Sequence, residues 1–405
     1  MRGGPWVVLA SAVSLLTGCS SLATSLQHRA VDTAMAIAYR PADRGKRLVL
    51  ASGHTYEVLA GDLHCHVSPP DGTSHVIRGL GETARLATSE GLDFVVLTPH
   101  VRARFFASER GRAYVLAQQA ALREAIRGLP RSDVLFIPGL EYTDSQFGHV
   151  GVSFSDIGRL LDALPLHEAR AHPERFFERH VAAGGLLVVN HPFTTPTNFV
   201  VRISRADLSW RPFTQPGLST PPEIDAVSRL AQGYEAFNLT TTDLRDRFLL
   251  HDHDRSLRQT LEKLDTEIVR QHRRMAPVGG SDSHSHHLRP TTFVLAESRT
   301  PAAVRDAIAA GRTCVRDPGA CTFRVRAPGG DWVPVGGALE GVREIEVVAD
   351  GGAVEVRRAG EVVARPEPGV VSRMSLPDSS CAVLRARVGV GESAAIYVNC
   401  GLPPG

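Results

Sequence analysis

The sequence predicts an α/β protein. Its main part is a parallel sheet with crossover helices, as a barrel or a doubly wound sheet, and a small all-β, sandwich-like segment follows. Two observations carry this. Between residues 56 and 312 short apolar runs alternate with longer segments of helical spacing, and beyond 313 brief alternating runs rich in Gly, Val, Arg and Pro take over. A third observation bears on function: nearly every apolar run stops at a His, Asp or Glu.

Taken in order, the chain begins with Arg2 and an apolar run from Trp6 to Leu16, too short for a bilayer that needs about 20 residues. The run ends in Leu16-Thr17-Gly18-Cys19, which resembles a bacterial lipobox. Residues 1–18 are therefore expected to be a lipoprotein signal peptide, with an ordinary secretory signal or an uncleaved anchor as alternatives. On the lipobox reading, Cys19 is lipidated and inserts in the bilayer. The protein is then exported to the cell envelope, on the periplasmic face of the membrane or the cell surface. Residues 19–55 read as an anchor spacer and the start of an N-terminal hairpin, RLVLA at 47–51 turning at Ser52-Gly53 into 54–63. The runs at 93–98, 133–139, 186–190, 234–238 and 276–280 read as buried strands, and 108–128, 173–183 and 243–274 as helices between them. A strand at 292–296 and a helix at 301–310 finish the first domain at 312. Residues 313–405 form the β-rich one, with strands expected at 344–350, 353–360, 382–389 and 394–399.

Composition removes several classes of function. A net charge of +2 gives no basic surface for nucleic acid. Lys46 and Lys263 are the only lysines, and neither follows a Gly-rich loop, so a P-loop is absent. No GxSxG motif is present, which leaves no case for a serine nucleophile. Export permits disulfides, and Cys314–Cys321 and Cys381–Cys400 are the pairs favoured by proximity in sequence. Cys65 reads as a small buried residue.

The chemistry lies in the strand ends. The first strand gives Asp62-Leu63-His64-Cys65-His66 and then Asp71-Gly72; the next reaches Thr98-Pro99-His100. Glu141 follows DVLFIPG, His149 lies just beyond, His191 follows LLVVN, and Asp282 and His284 follow APVGG. Strand ends of an α/β barrel converge on one face, so residues far apart in sequence can meet. In His64-Cys65-His66 the two-residue period puts both imidazoles on one side. Imidazoles mixed with carboxylates suit Zn, Mn or Fe. A carboxylate such as Glu141 can bridge two such ions and hold a shared hydroxide for hydrolysis, most naturally of a phosphate ester.

These segments, DLHCH with DG, GLDFVVLTPH, PGLEYT with GHVGV, VVNHP and GGSDSH, resemble the PHP (polymerase and histidinol phosphatase) family across residues 61–287. The opening GDLH, the VVNHP–YEAFN pair and the β-rich tail are similar to its carbaryl-hydrolase (CehA/McbA-like) branch. The resemblance implies a distorted seven-stranded (β/α)7 TIM-like barrel with a trinuclear site. It places His64, His66, Glu141 and Asp282 on one metal, Glu141, His149 and His191 on a second, and Asp71, His100 and His284 on a third. Two departures stand out. Pro99 precedes His100 where the family has Asp, which puts the orientation of that imidazole in doubt, and Ser68-Pro69-Pro70 leads to Asp71, so the third ion is the least secure.

Other signals are weaker. Arg102 and Arg104, Asn238, and His286 with His287 are candidates for contact with substrate or, for Asn238, with a ligand. Gly79–Ala84 nominally fits a dinucleotide fingerprint but reads as a helix start, and His251–Asp254 as a solvated helix face. The leading expectation is a hydrolase with two to three divalent metal ions, acting outside the cytoplasm on a small-molecule phosphomonoester or diester. A carbamate or carboxylic ester hydrolase using the same hydroxide is the second reading. A non-catalytic lipoprotein binding metal or glycan is the third.

Overall fold

The computed structural model describes residues 47–50, 53–73, 76–194, 197–198, 205–238, 253–289, 291–376 and 380–402. The lipobox with Cys19, and the first half of the His251–Asp254 stretch, lie outside them. No helix among the described residues is long and apolar enough to cross a membrane.

A short strand β1 (Arg47–Val49) pairs antiparallel with β2 (Thr55–Cys65), so the expected hairpin forms. Helix α1 (Leu80–Ser89) starts after Gly79, at the glycines that mimic a dinucleotide loop. It leads to β3 (Phe94–Leu97), parallel to β2. Pro99 lacks an N–H, and here the strand breaks before resuming as β4 (His100–Arg102). Helix α2 (Glu109–Arg127), capped by the Ser108 side chain, leads to β5 (Leu135–Asp144). β5 runs alongside both β3 and β4.

The next strand, β6 (Gly148–Ser153), was legible only as a motif and not as a strand. It folds back antiparallel on β5 and is antiparallel to β7 (Leu186–Val189) as well. A purely parallel sheet, the simplest inference from alternating strands and helices, is therefore broken at this point. The physical reason is the short turn after Asp144, whose carboxylate accepts from the N–H groups of Gln146 and Phe147. Three residues cannot hold a crossover, so the strand must reverse. Helices α3 (Ile157–Asp162), α4 (Leu166–Ala171) and α5 (Glu174–Ala182) fill the connection to β7.

Beyond β7 come two short strands, β8 (Thr197–Asn198) and β9 (Arg205–Ala206), and helices α6 (Arg211–Thr214) and α7 (Pro222–Leu230). Then β10 (Gly233–Phe237) pairs parallel with β7, and after α8 (His253–Gln271) β11 (Ala276–Gly279) pairs parallel with β10. Past its end, the Asp282 N–H donates to His64 O at 2.7 Å and the His66 N–H to Ser283 O at 3.2 Å. The pairings thus return to β2 and make a circuit. Inside it Leu59, Leu63, Phe94, Val96, Ile137, Leu186, Val188 and Val278 form one buried cluster beneath the strand ends.

β12 (Thr292–Ala296) lies antiparallel to β2 on its other edge, and after α9 (Pro301–Ala309) β13 (Thr313–Val315) pairs with β12. β13 pairs in turn with β22 (Gly391–Ser393). Strand pairing therefore runs without interruption across residue 312. The β-rich segment holds two layers. β15 (Val333–Pro334), β14 (Arg324–Arg326), β17 (Glu344–Val348) and β20 (Ser372–Ser375) form one antiparallel sheet. β19 (Glu361–Ala364), β18 (Val354–Arg358) and β21 (Ala382–Val388) pair with β22, β23 (Ile396–Val398) and β16 (Ala338–Leu339) in the other. Val325, Ile345 and Val347 of the first layer share a buried cluster with Val356, Leu384 and Ala386 of the second. Cys314–Cys321 and Cys381–Cys400 are disulfide-bonded.

Candidate metal centre

Six elements deliver side chains to one rim. β2 contributes His64, with His66 just past its end; β4 starts at His100; and Glu141 lies within β5 opposite it. His149 comes from the beginning of β6, which is at the same rim because that strand is reversed. His191 follows β7, and Asp282 and His284 follow β11. Two of these residues hold unusual backbone: φ is +31° at His191 and +47° at Asp282. Left-handed conformation in non-glycine residues costs of order 1 kcal/mol and gathers at functional sites.

The side chains converge closely. Glu141 Oε1 lies 3.0 Å from His64 Nε2, 3.1 Å from His149 Nδ1 and 3.6 Å from His191 Nε2, while Oε2 lies 3.4 Å from His100 Nε2 and 3.8 Å from His66 Nε2. Asp282 Oδ1 is 3.2 Å from His66 Nε2 and 3.4 Å from His64 Nε2. Three overlapping groups bring candidate ligand atoms within 4.8 Å of one another: His64, Glu141 and His191; His64, His66 and Asp282; and His66, His100 and His284. Imidazole nitrogens and carboxylate oxygens at this spacing are a donor set for divalent metals. The cluster fits divalent metal ions. His100 and His149 are its solvent-facing members, at 26% and 16% side-chain exposure, so the open side lies there.

What aims the imidazoles is a layer of hydrogen bonds behind them. His64 Nδ1 donates to Glu235 Oε1 at 3.1 Å, His66 Nδ1 to Asp71 Oδ2 at 3.1 Å, and His191 Nδ1 to Leu208 O at 2.8 Å. With the proton fixed on Nδ1, each neutral ring turns its Nε2 lone pair to the centre. Asp71 also accepts from the His100 backbone N–H and from its Nδ1, at 3.0 and 3.1 Å. That answers the question raised by Pro99: Asp71 orients the imidazole instead of an adjacent acid. Asp71 falls in none of the three ligand groups and stands behind His66 and His100, whereas the resemblance implied a ligand with His100 and His284. In this geometry His66 completes that group.

Several residues that back the cluster were given no role in the sequence reading. Glu235, 2% exposed, backs His64 and accepts from the His191 N–H at 2.7 Å. An acid in the middle of the apolar run YEAF was the available signal. Gly280 makes room for it: a Cβ there would sit 2.0 Å from Glu235 Oε1 and 2.5 Å from His64 Cβ. Asn190 donates to Glu141 Oε1 at 2.9 Å, and Asp62 accepts from the His64 and Ser281 N–H groups.

Among the candidates for substrate contact, Asn238 donates to Glu235 Oε2 at 3.0 Å and to Asp282 Oδ2 at 3.4 Å. Arg102, exposed on β4, shares by strand alternation the face of His100. His286 is half-exposed and pairs with Glu82 on α1 at 3.0 Å, while His287 is buried with Nδ1 on Arg289 O. Neither belongs to a ligand group. Cys65 is fully buried, and burial pushes its thiol up to about 12, which fits the small buried residue read from the sequence.

The electrostatics agree with the geometry. Burial alone would lower His64 and His66, yet Asp282, Glu235 and Glu141 lift His64 well above its ordinary value, and Asp282 and Asp71 lift His66 to about 9. Burial opposes ionisation of Glu141 and Asp282 too, but the imidazoles hold both far below the carboxylate range. His149 moves the other way, lowered by burial despite Glu141. Asp62, off to the side, rises to about 6 by burial, with the Ser281 hydrogen bonds pulling back. Buried carboxylates thus account for the raised imidazoles His64 and His66, and the imidazoles for the lowered carboxylates Glu141 and Asp282; divalent cations can meet the same carboxylates by displacing the protons.

No protein-family model matches the chain, and no curated protein matches it. Similar solved structures exist. A two-domain protein from Bacteroides vulgatus, described as containing a predicted PHP-like metal-dependent phosphoesterase, is 15% identical with a TM-score of 0.42, over 88% of this chain and 98% of that one. PsfC from Pseudomonas syringae is 16% identical with a TM-score of 0.34, over 63% and 90%. An endonuclease Q in complex with a 27-mer duplex bearing an abasic lesion is 14% identical with a TM-score of 0.35, over 62% and 56%. All three TM-scores lie below 0.5, and the reading of the site rests on its own geometry.

Proposed function

We propose that this protein is a metal-dependent hydrolase of the PHP type, a phosphoesterase acting on a small-molecule phosphomonoester or diester. The observation that carries the reading is the set of three overlapping ligand groups, joined through His64 and His66, with Glu141 Oε1 3.0 Å from His64 and its Oε2 3.4 Å from His100. On this reading the circuit of β2, β3, β5, β6, β7, β10 and β11 is the distorted seven-stranded barrel. Two to three Zn, Mn or Fe ions would be held at its rim by His64, His66, His100, Glu141, His191, Asp282 and His284, with His149, which is in none of the three groups but lies 3.1 Å from Glu141, as a further ligand on the open side. Such ions lower the pKa of a bound water and neutralise charge on a phosphoryl group.

The chain's own residues do the rest. Glu141 faces both halves of the cluster and joins them. Glu235, Asp71 and Leu208 O keep four imidazoles, those of His64, His66, His100 and His191, in the ligating tautomer. Arg102 stands on the open side beside His100, where its guanidinium can meet an anionic ester. Export as a lipoprotein through lipidated Cys19 puts the activity in the cell envelope.

The test is a panel of chromogenic phosphomonoester, phosphodiester, carbamate and carboxylic ester substrates. Each is assayed with chelated protein, with protein reloaded with Mn or Zn, and with His64→Ala. Phosphate ester turnover that chelation abolishes, reloading restores and His64→Ala lacks is the expected result. Turnover of the carbamate or carboxylic ester alone replaces the phosphoesterase with the second reading. No turnover by metal-loaded protein overturns the enzyme reading.

A further inference from the structure

Behind the metal centre lies a cation that takes no part in the chemistry above. Arg78 has no exposed surface and ranks among the largest fully buried side chains of the protein. It belongs to the loop leading into α1, 12 and 13 residues from His66 and Cys65 but 205 to 209 residues from Ser283 and His287. A buried guanidinium is costly unless its donors are met, and here they are met in an unusual way. Its hydrogen-bond partners among the described residues are all neutral: the Thr83 hydroxyl at 2.9 Å, Ser283 Oγ at 3.0 Å, the carbonyls of Ser285, His287 (3.2 Å) and His66 (3.3 Å), and Cys65 Sγ at 3.2 Å.

These partners sort into two sets. Cys65 and His66 belong to the end of β2; Ser283, Ser285 and His287 belong to the loop that carries Asp282 and His284. The backbone beside Arg78 strengthens the same link, because the Ile77 N–H donates to His284 O at 3.0 Å and the Ser68 N–H to Arg78 O at 2.9 Å. One planar fork therefore joins the two segments that supply His66 and His284, whose rings stack at 4.2 Å. Among the described residues, no arginine side chain makes a contact of this kind with His149 or His191, on the far side of the cluster.

We propose that Arg78 is a positioning residue that sets the spacing of His66 against His284 and so determines whether the ion held by His66, His100 and His284 binds. The ion held by His64, Glu141 and His191 does not depend on it. A lysine cannot replace it, since a single ammonium cannot span Cys65, Ser283 and three carbonyls at once.

The inference rests on the metal reading, and the experiment separates the two. Wild type, Arg78→Met, Arg78→Lys and Thr83→Val are stripped and checked for fold by circular dichroism. They are then titrated with Mn and with Zn by calorimetry, with elemental analysis after gel filtration. If wild type takes up no metal, the metal centre itself is refuted. If it does, folded Arg78→Met is expected to lose one ion equivalent, or to bind its weakest ion about tenfold or more weakly, with the tightest ion within threefold of wild type. Arg78→Lys should behave like Arg78→Met, and added guanidinium ion should restore the missing equivalent to Arg78→Met. Thr83→Val removes a tether of Arg78 without touching any ligand, and it should weaken the same ion to a smaller extent. It decides the matter should Arg78→Met fail to fold. Unchanged binding, or loss of all ions in parallel with lowered stability, overturns the proposal.

Discussion

Glu235→Gln separates orientation of a ligand from packing, because the two side chains have the same shape. Both oxygens of Glu235 face donors: Oε1 meets His64 Nδ1 at 3.1 Å, and Oε2 meets the His191 N–H at 2.7 Å and Asn238 Nδ2 at 3.0 Å. A glutamine has one acceptor. If its oxygen stays with the two donors of His191 and Asn238, its amide N–H2 points at His64 Nδ1. That nitrogen must then accept, so the proton moves to Nε2, and His64 loses the lone pair it turns toward Glu141. Orienting partners of this kind are worth about 10–100-fold in metal affinity, or roughly 1.4–2.7 kcal/mol. At saturating metal the same loss removes up to about 2.7 kcal/mol of ligand-linked stabilisation. The assay is a competition titration of stripped protein against a chromogenic chelator, alongside thermal melts with and without metal. Affinity in a folded Glu235→Gln variant within threefold of wild type would refute the tautomer argument.

Three further expectations follow from particular residues. Asp71→Asn leaves one acceptor where His66 Nδ1 uses Oδ2 and His100 Nδ1 uses Oδ1, so one of the two rings loses its orienting partner and the ion on them should weaken about 10–100-fold by calorimetry. Glu392 is 2% exposed, and burial lifts its carboxyl from 4.5 to about 7, with Arg357 and its neighbours pulling back. Because the folded pKa is raised, its favourable contribution is complete below about pH 4.5 and is lost as pH climbs through 7. Wild type should lose about 3 kcal/mol relative to Glu392→Gln over that window, read by urea unfolding at each pH. The disulfides close loops of 7 and 19 residues, so replacing both cysteines by serine should cost about 2 kcal/mol for Cys314–Cys321 and about 3 kcal/mol for Cys381–Cys400 in denaturant melts.

How far the site could be read in the sequence depended on the range of each interaction. His64 and His66 announced themselves by a local two-residue period, and Glu141, His191 and Asp282 by ending or interrupting apolar runs. The structure brings all of them together. Asp71 was also visible, but whether it faces the ions or the backs of two imidazoles depends on the path of residues 67–78, which no local pattern specifies. Glu235 was hidden because a strand read as core lowers the expectation of chemistry, although a buried acid always needs a partner. Arg78 gave no signal, since its partners lie 5 to 209 residues away. The fold shows the same division. Strand and helix positions such as 94–97, 109–127 and 276–279 match the periodicity closely. The reversal of β6 was missed because it depends on a turn rather than on the pattern within the strand.

The unbroken pairing from β12 through β13 to β22 has a practical consequence. A chain cut at residue 312 would strip β12 of its neighbour and leave open backbone groups along Thr292–Val294, on a strand whose own residues are buried. It would also remove the Thr313 hydroxyl that donates to Pro277 O on β11. Such a naked margin is a template for another chain. The shortened protein should therefore stick to itself rather than behave as a tidy minimal enzyme, and the β-rich segment acts as its cover.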